Sequence, residues 1–86
     1  MKHAGPATLA TLEPLLVRLR ALPGLIERKP GIFYAKSSAY LHFHEDPAGL
    51  FADVKLAGKE FDRFAVNTRQ QQDALFKRVR AHRGAV

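Results

Sequence analysis

AYLHFHEDPAGLFADVKL, residues 39–56, is the stretch that decides the fold of this 86-residue chain. Apolar and polar residues alternate on both sides of Asp46-Pro47-Ala48-Gly49. These four residues have type I turn preferences, with Asp first, Pro second and Gly fourth. The stretch therefore predicts a β-hairpin in which Asp46 faces Gly49 and His42 faces Asp53.

The predicted hairpin has two chemically different faces, because side chains alternate across a strand. One face is apolar and includes Leu41, Phe43 and Val54, so we expect a helix to cover it. The other mixes aromatic, histidine and charged residues, which is typical of partner and ligand sites. This predicted interaction face consists of Phe33, Tyr40, His42, His44, Phe51, Asp53 and Lys55. The alternative is that the C-terminal helix or a curled strand covers it.

Further short strands with a period of two are predicted at 25–28, 32–36 and 60–66. The links between them are too short for parallel crossovers, so antiparallel pairing is expected throughout. The turn at Ser37-Ser38 predicts that Tyr34 faces the core and that Phe33 lies beside His42.

The last strand, 60–66, fits the sheet less regularly. Phe61 is expected in the core, whereas Phe64 and Val66 have the opposite parity. A bulge near residues 62–63 would restore these two side chains to the core.

Helices are predicted at both ends of the chain. Five leucines at helical spacing predict a helix from Thr8 or Thr11 to about Leu22, with Thr11 favoured as its cap. Thr68 and Gln71 match a capping box, which begins a second helix that continues to about residue 82. The predicted fold is therefore α+β: helix, antiparallel meander of four to five strands, helix, with both helices packed on the sheet.

Composition sets limits on the class of protein. A hydrophobic fraction of 47% and a charged fraction of 26% are typical of a folded domain. We expect one domain over 1–86, with a flexible arm at 1–7 and a flexible tail at 84–86. The absence of cysteine excludes disulfides and thiolate metal sites. No apolar segment approaches the ~20 residues of a membrane span, so we expect a cytoplasmic protein without membrane contact.

His42, His44 and Asp53 are the candidate metal ligands. His-x-His on a strand points two imidazoles the same way, and Asp53 lies across the ladder from the first. Two histidines and a carboxylate suit zinc or non-haem iron. Further donors nearby are His3 and Glu45, and Glu45 has the wrong parity. The alternative is a His42–Asp53 hydrogen bond that only stabilises the hairpin.

Catalytic constellations are missing from the sequence. The two serines lie together in the predicted turn at 37–38, and the six glycines are scattered singly. Neither a nucleophile elbow nor a phosphate-cradling loop is therefore expected. We predict no catalytic residue and no cofactor, and an enzyme is not the favoured class.

The C-terminal region carries most of the excess positive charge. The chain has a formal net charge of +6, and five of its basic residues lie in 69–86 against one acid, Asp73. Such residues supply non-specific affinity for nucleic acid. A helical projection spreads them around the helix, so a solvated helix is the alternative. The candidate nucleic-acid residues are Arg69, Lys77, Arg78, Arg80 and Arg83.

Two sequence strings resemble those of a known family. LRALPG at 19–24 and the Thr-capped QQDAL at 71–75 are similar to the small bacterial YjbR/MmcQ-like proteins. The hairpin string LHFHED at 41–46 also resembles uncharacterised domains with an L-H-x-H-x-D-like pattern. The resemblance implies an α+β fold and a DNA-binding-like role, and it implies no catalytic residue.

The sequence favours a non-catalytic binding domain. It is expected to act through the interaction face, by homodimerisation or by docking of a partner, with nucleic acid as the leading ligand. A metal-dependent protein that uses His42, His44 and Asp53 is the alternative.

Overall fold

The stretch 39–56 forms the predicted hairpin at the centre of the structure. Its strands pair antiparallel in the predicted register, with His42 opposite Asp53 and Asp46 opposite Gly49. The carboxylate of Asp46 accepts a hydrogen bond from the amide of Ala48 at 2.8 Å, which closes the turn. Because the turn is fixed, the pairing on both sides of it is fixed too.

The computed structural model describes residues 2–84 of the chain. In chain order its elements are β1 (Lys2–His3), α1 (Pro6–Thr11), α2 (Glu13–Arg20), β2 (Leu25–Lys29), β3 (Ile32–Ala35), β4 (Ser38–Asp46), β5 (Gly49–Ala57), β6 (Glu60–Ala65), α3 (Arg69–Val79) and a π-helical turn (Arg80–Gly84). The α+β class and the antiparallel meander are confirmed. Two residues of the predicted 84–86 tail lie outside the described residues.

Five strands form the meander in the order β2-β3-β4-β5-β6. The sixth strand, β1, pairs antiparallel with β4, where Lys2 lies opposite Glu45 and His3 opposite His44. Because β5 occupies the other edge of β4 at these positions, β1 continues the edge that β3 leaves beyond Ile32.

Residues 2–7, which belong to the predicted flexible arm at 1–7, include a strand and the start of a helix. Lys2–His3 form a strand, and α1 begins at Pro6. The carboxylate of Glu45 accepts hydrogen bonds from the Gly5 amide at 2.6 Å and from the Thr8 hydroxyl at 2.7 Å. These contacts are long-range, so they leave no periodic pattern in the first seven residues.

The first predicted helix is formed as two short helices. Leu12 separates α1 from α2, and Pro14 lies in the first turn of α2, where its missing amide hydrogen is tolerated. The expected cap at Thr11 is wrong, because Thr11 ends α1 and its hydroxyl donates to the Ala7 carbonyl at 3.2 Å. No helix within residues 2–84 has the length and apolarity that crossing a membrane requires.

The helices of residues 2–84 pack on one face of the sheet, which we call the helix-covered face. Its core joins the predicted leucine stripe to alternate residues of the strands. The buried apolar residues are Leu12, Leu15, Leu16, Leu19, Leu22, Leu25, Phe33, Tyr40, Leu41, Phe43, Ala52, Val54, Val66, Leu75, Phe76 and Val79.

The predicted capping box of α3 is confirmed. The hydroxyl of Thr68 accepts a hydrogen bond from the Gln71 amide at 3.0 Å, and the Gln71 side chain accepts one from the Thr68 amide at 3.2 Å. The α-helix ends at Val79, earlier than predicted, and the π-helical turn follows it.

The register between β3 and β4 differs from the prediction by two residues next to the turn and by one residue beyond it. Phe33 lies opposite Leu41, and Tyr34 lies opposite Ala39, so Tyr40 is an extra residue in a β-bulge. One residue of slip exchanges the faces of a strand. The expectation that Phe33 lies beside His42 is therefore wrong, and Phe33 is 0% exposed in the core.

Tyr40 also lies on the helix-covered face rather than the interaction face. Its ring stacks on His82 of the π-helical turn, and its hydroxyl lies 2.8 Å from Nδ1 of His82. Burial raises the pKa of the Tyr40 phenol to about 12. The bulge is the physical reason, because two successive residues at a bulge oppose one partner residue and alternation fails there.

The face of the last strand was also predicted wrongly for Phe61. Arg63 lies opposite Asp53 and Phe64 opposite Ala52, so Phe61 shares the face of Asp53, not the core. The irregularity of this pairing lies in β5 between Val54 and Ala57, and not at residues 62–63.

Candidate functional site

The face opposite the helices carries the titratable side chains. Residues that pair across adjacent strands share a face. This helix-free face consists of His3, Ile26, Arg28, Ile32, Tyr34, His42, His44, Phe51, Asp53, Lys55, Phe61 and Arg63. It holds five members of the predicted interaction face, and Phe33 and Tyr40 are the two that it does not. Within residues 2–84, neither α3 nor a curled strand covers it, because the helices pack on the other side.

Three histidines meet at the junction of β1 and β4. One possible ligand nitrogen from each of His3, His42 and His44 lies within 4.8 Å of the other two. The ring centroids of His42 and His44 are 4.6 Å apart, and those of His3 and His44 are 5.1 Å apart. The His-x-His spacing provides two of these rings, and the antiparallel pairing of His3 with His44 provides the third.

Several imidazole nitrogens of the cluster are buried without a hydrogen bond. Within residues 2–84, Nδ1 of His42 and both ring nitrogens of His44 have no hydrogen-bond partner. Buried polar atoms are nearly always hydrogen-bonded in native proteins, so unpaired ones suggest a ligand or ion. The side chain of His3 is exposed, so the cluster is open to solvent on that side.

The surroundings of His42 favour its neutral form. Burial lowers the pKa of His42, and the imidazole of His44 lowers it further, against the opposing effect of Asp53. The ring of Phe61 reaches across β5 and packs edge-on against His42, with 4.8 Å between centroids. A neutral imidazole is the form that binds a metal.

Asp53 does not join the three-histidine cluster. Its two carboxylate oxygens accept hydrogen bonds from Arg63, from Nε at 2.8 Å and from an Nη at 3.1 Å. Burial alone would raise the pKa of Asp53, but the paired guanidinium and the nearby histidines together lower it. Of the predicted ligands, His42 and His44 lie in the cluster together with His3, and Asp53 lies beside it.

Asp53 still faces one of the histidines. Its Oδ2 lies 3.0 Å from Nε2 of His44. The two atoms lie within hydrogen-bond distance, yet Nε2 has no hydrogen bond in this arrangement. The two observations agree if the N–H direction of the ring misses the carboxylate, because a hydrogen bond weakens steeply with angle.

Aromatic rings and cations share the rest of this face. The guanidinium of Arg28 lies 5.3 Å from the ring centre of Tyr34, and the ammonium of Lys55 lies 5.0 Å from that of Phe61. These distances are typical of cation–π contacts. Ile26 and Phe61 are the large apolar residues most exposed on this face, at 55% and 38%.

The five candidate nucleic-acid residues lie elsewhere. Arg69, Lys77 and Arg78 belong to α3, and Arg80 and Arg83 to the π-helical turn, on the helix-covered side. Several are engaged locally. Lys77 pairs with Asp73 at 3.3 Å, and the remaining contacts are cation–π packing of Arg78 on Phe64, Arg80 on Phe76 and Arg83 on Tyr40. The structure does not bring these residues together with the helix-free face.

Arg63 and Phe61 are not predicted as members of this site, because the predicted parity of β6 puts Phe61 in the core. His3 is predicted as a further donor, but no pattern in the sequence predicts the strand that holds it opposite His44. The signal that could have found Arg63 is its charge opposite Asp53, since opposite charges favour directly paired positions.

No family model, curated protein or solved structure matches the chain. The resemblance to the YjbR/MmcQ-like proteins therefore stays a prediction. Function has to be argued from the residues of the site.

Proposed function

We propose that the protein is a metal-binding domain whose site consists of His3, His42 and His44. The observation that carries the proposal is the convergence of one nitrogen from each histidine within 4.8 Å. The buried, unpaired nitrogens of His42 and His44 support it. Imidazole donors without thiolate or carboxylate suit zinc and its late first-row neighbours rather than calcium or magnesium.

The geometry fits such an ion after a small contraction. A tetrahedral zinc with bonds of about 2.0–2.1 Å needs its nitrogens about 3.4 Å apart, which is closer than the 4.8 Å limit of the cluster. His3 is the ligand that can close this gap, because its side chain is exposed and β1 is only two residues long. Three protein ligands leave a fourth position on the solvent side, as in open zinc sites.

Zinc titration of the metal-free protein tests the proposal. We expect one zinc per chain by calorimetry. We also expect a higher melting temperature, since a ligand at 100 times its Kd stabilises a fold by about 2.7 kcal/mol. His42→Ala should abolish both effects. His82→Ala is the matched control, because His82 contacts Tyr40 outside the cluster. Zinc binding that is absent from the wild type, or that is lost equally in both variants, would contradict the proposal.

We propose self-association through the helix-free face as a second function. Ile26 on β2 and Phe61 on β6 favour it, because both are exposed on this face, at opposite edges of the sheet, and large exposed apolar side chains are typical of contact sites. The cations of this face are engaged locally. Asp53 neutralises Arg63, and Asp46 acts on the same guanidinium. Arg28 and Lys55 each pack on an aromatic ring, so a second copy is favoured over a polyanion, which requires a row of cations free for its phosphates.

Light scattering across a range of protein and salt concentrations tests self-association. We expect a dimer that persists in high salt and that Ile26→Glu disrupts. Val17→Glu is the matched control, because Val17 is as exposed as Ile26, at 54% against 55%, but lies on α2. A chain that stays monomeric at all concentrations contradicts this second function. A monomer that binds single-stranded nucleic acid with steep salt dependence would favour the polyanion instead.

A further inference from the structure

We propose that Asp53 is a positioning residue that orients His44 so that Nδ1, and not Nε2, binds the metal. The inference rests on the proposed metal site and assigns a specific ligand atom in it. Two contacts carry it: the 3.0 Å approach of Asp53 to Nε2 of His44, and the paired hydrogen bonds from Arg63 to Asp53.

The two ring nitrogens of His44 differ in what lies beside them. Both are buried and unpaired within residues 2–84, so each needs a partner when a metal binds. Asp53 lies beside Nε2. A small rotation of the ring would point the Nε2 hydrogen at the carboxylate and leave the lone pair of Nδ1 for the ion. Metal-binding histidines generally donate their other ring N–H to a carboxylate, carbonyl or water.

The carboxylate of Asp53 is itself held in one orientation. Arg63 holds both carboxylate oxygens in a bidentate contact, which fixes the plane of the carboxylate. A carboxylate held in this way is not free to turn and become a fourth ligand. Asp53 is 7% exposed, so protein atoms rather than water surround it. A series of contacts therefore runs from Arg63 on β6 through Asp53 on β5 and His44 on β4 to the metal.

The carboxylate of Asp53 approaches only one of the two histidines of β4. His42 pairs directly opposite Asp53 in the ladder, but the measured approach of the carboxylate is to His44, on the diagonal. Diagonal neighbours across a ladder remain within reach of long side chains. Among residues 2–84 no carboxylate forms a hydrogen bond or ion pair with His42, and its ring packs against Phe61. We expect Asp53 to act on the metal through His44.

The experiment compares zinc affinity in Asp53→Asn with that in Asp73→Asn. Loss of an outer hydrogen-bond partner weakens metal binding by about 10–100-fold, and we expect this loss for Asp53→Asn. Asp73 is the matched control, because it is also paired with an arginine, at 2.9 Å from Arg18, but lies on α3. Its substitution should leave the zinc Kd unchanged.

Nitrogen NMR of the wild type provides a readout that needs no variant. In the zinc-bound protein we expect the proton of His44 on Nε2 and the metal on Nδ1. Zinc on Nε2 of His44, or an unchanged Kd in Asp53→Asn, would overturn the assignment while leaving the metal site intact. Failure of the wild type to bind zinc would instead remove the proposed function. If Asp53 has only a structural role, Asp53→Asn will melt at a lower temperature and still bind zinc with unchanged affinity through the same nitrogen of His44, which would also overturn the assignment.

Discussion

The two faces of the sheet are made by the same strands and yet differ in kind. On β4, Leu41 and Phe43 point into the core, while His42 and His44 point away from it. The helix-covered face is closed by leucines at helical spacing, whereas the helix-free face keeps imidazoles, rings and charges. Because side chains alternate along β4, successive residues belong in turn to the core, which stabilises the domain, and to the helix-free face, whose side chains are available for binding.

Each face also has an arginine paired with an acid, but the two pairs join different parts of the molecule. Glu27 is held by Arg20 beside the helices, and Asp53 is held by Arg63 on the helix-free face. The first pair links α2 to β2, so it joins two elements. The second pair lies within the sheet and contacts the histidine cluster. The same kind of pair thus links a helix to the sheet on one face and holds an acid beside the histidine cluster on the other.

The largest expected effect separates the faces by stability. Phe33→Ala removes a side chain that is 0% exposed. Deleting a buried aromatic ring costs about 3–5 kcal/mol. Phe61→Ala is the comparison on the helix-free face, where Phe61 is 38% exposed, and it should cost about 1 kcal/mol or less. Urea denaturation of both variants measures the difference.

Two outcomes would contradict the expected difference in stability between Phe33→Ala and Phe61→Ala. Equal, small losses would mean that Phe33 is not in the core and that the β3–β4 register is wrong. Equal, large losses would mean that Phe61 is buried in solution by a second copy, and that loss should then depend on protein concentration.

The hairpin register could be predicted from the sequence because a turn of four characteristic residues fixes it. The β3–β4 register could not. The extra residue of the bulge, Tyr40, has no local signature, and it moved Phe33 and Tyr40 into the core. The decision between the two registers depends on tertiary packing, in particular on His82, which lies 42 residues along the chain from Tyr40.

The candidate site was predicted in part for the same reason. His42 and His44 share a strand, so a local pattern placed them on one face. His3 reaches them only through the pairing of β1 with β4, and Asp53 is withdrawn from the cluster by Arg63 on another strand. Ligand sets assembled from distant strands depend on registers that the sequence does not show.

A smaller effect tests what holds the last helix on the covered face. Thr68→Ala removes the acceptor of the Gln71 amide and keeps the backbone amide that donates to the Gln71 side chain. Loss of such a cap costs about 0.5–2 kcal/mol. Thermal denaturation should show this loss without any change in zinc binding, because α3 packs on the opposite side of the sheet from the histidines. A change in zinc affinity would mean that the two faces are coupled.

The smallest effect concerns Glu27, an acid on the helix-covered face. The hydrogen bond from Arg20 lowers the pKa of Glu27, against the opposing effect of burial, and the Gly31 amide adds to the lowering. Glu27→Gln should cost about 1 kcal/mol at pH 7, because Arg20 is partly exposed and its pairing is screened. Glu13→Gln is the matched control, since Glu13 also contacts Arg20 but is half exposed, and its effect should be smaller.

The pH dependence of Glu27→Gln follows from the direction of this shift. A carboxyl whose pKa is lower in the folded state stabilises the fold fully above its unfolded pKa of about 4.3. That contribution is lost as the pH falls through the folded value. The difference in unfolding free energy between wild type and Glu27→Gln should therefore be constant from about pH 6 to 8 and shrink below about pH 4.3. A difference that instead grows on acidification would show that Glu27 is held by burial rather than by Arg20. The covered face would then lack the ion pair by which it mirrors Asp53 and Arg63.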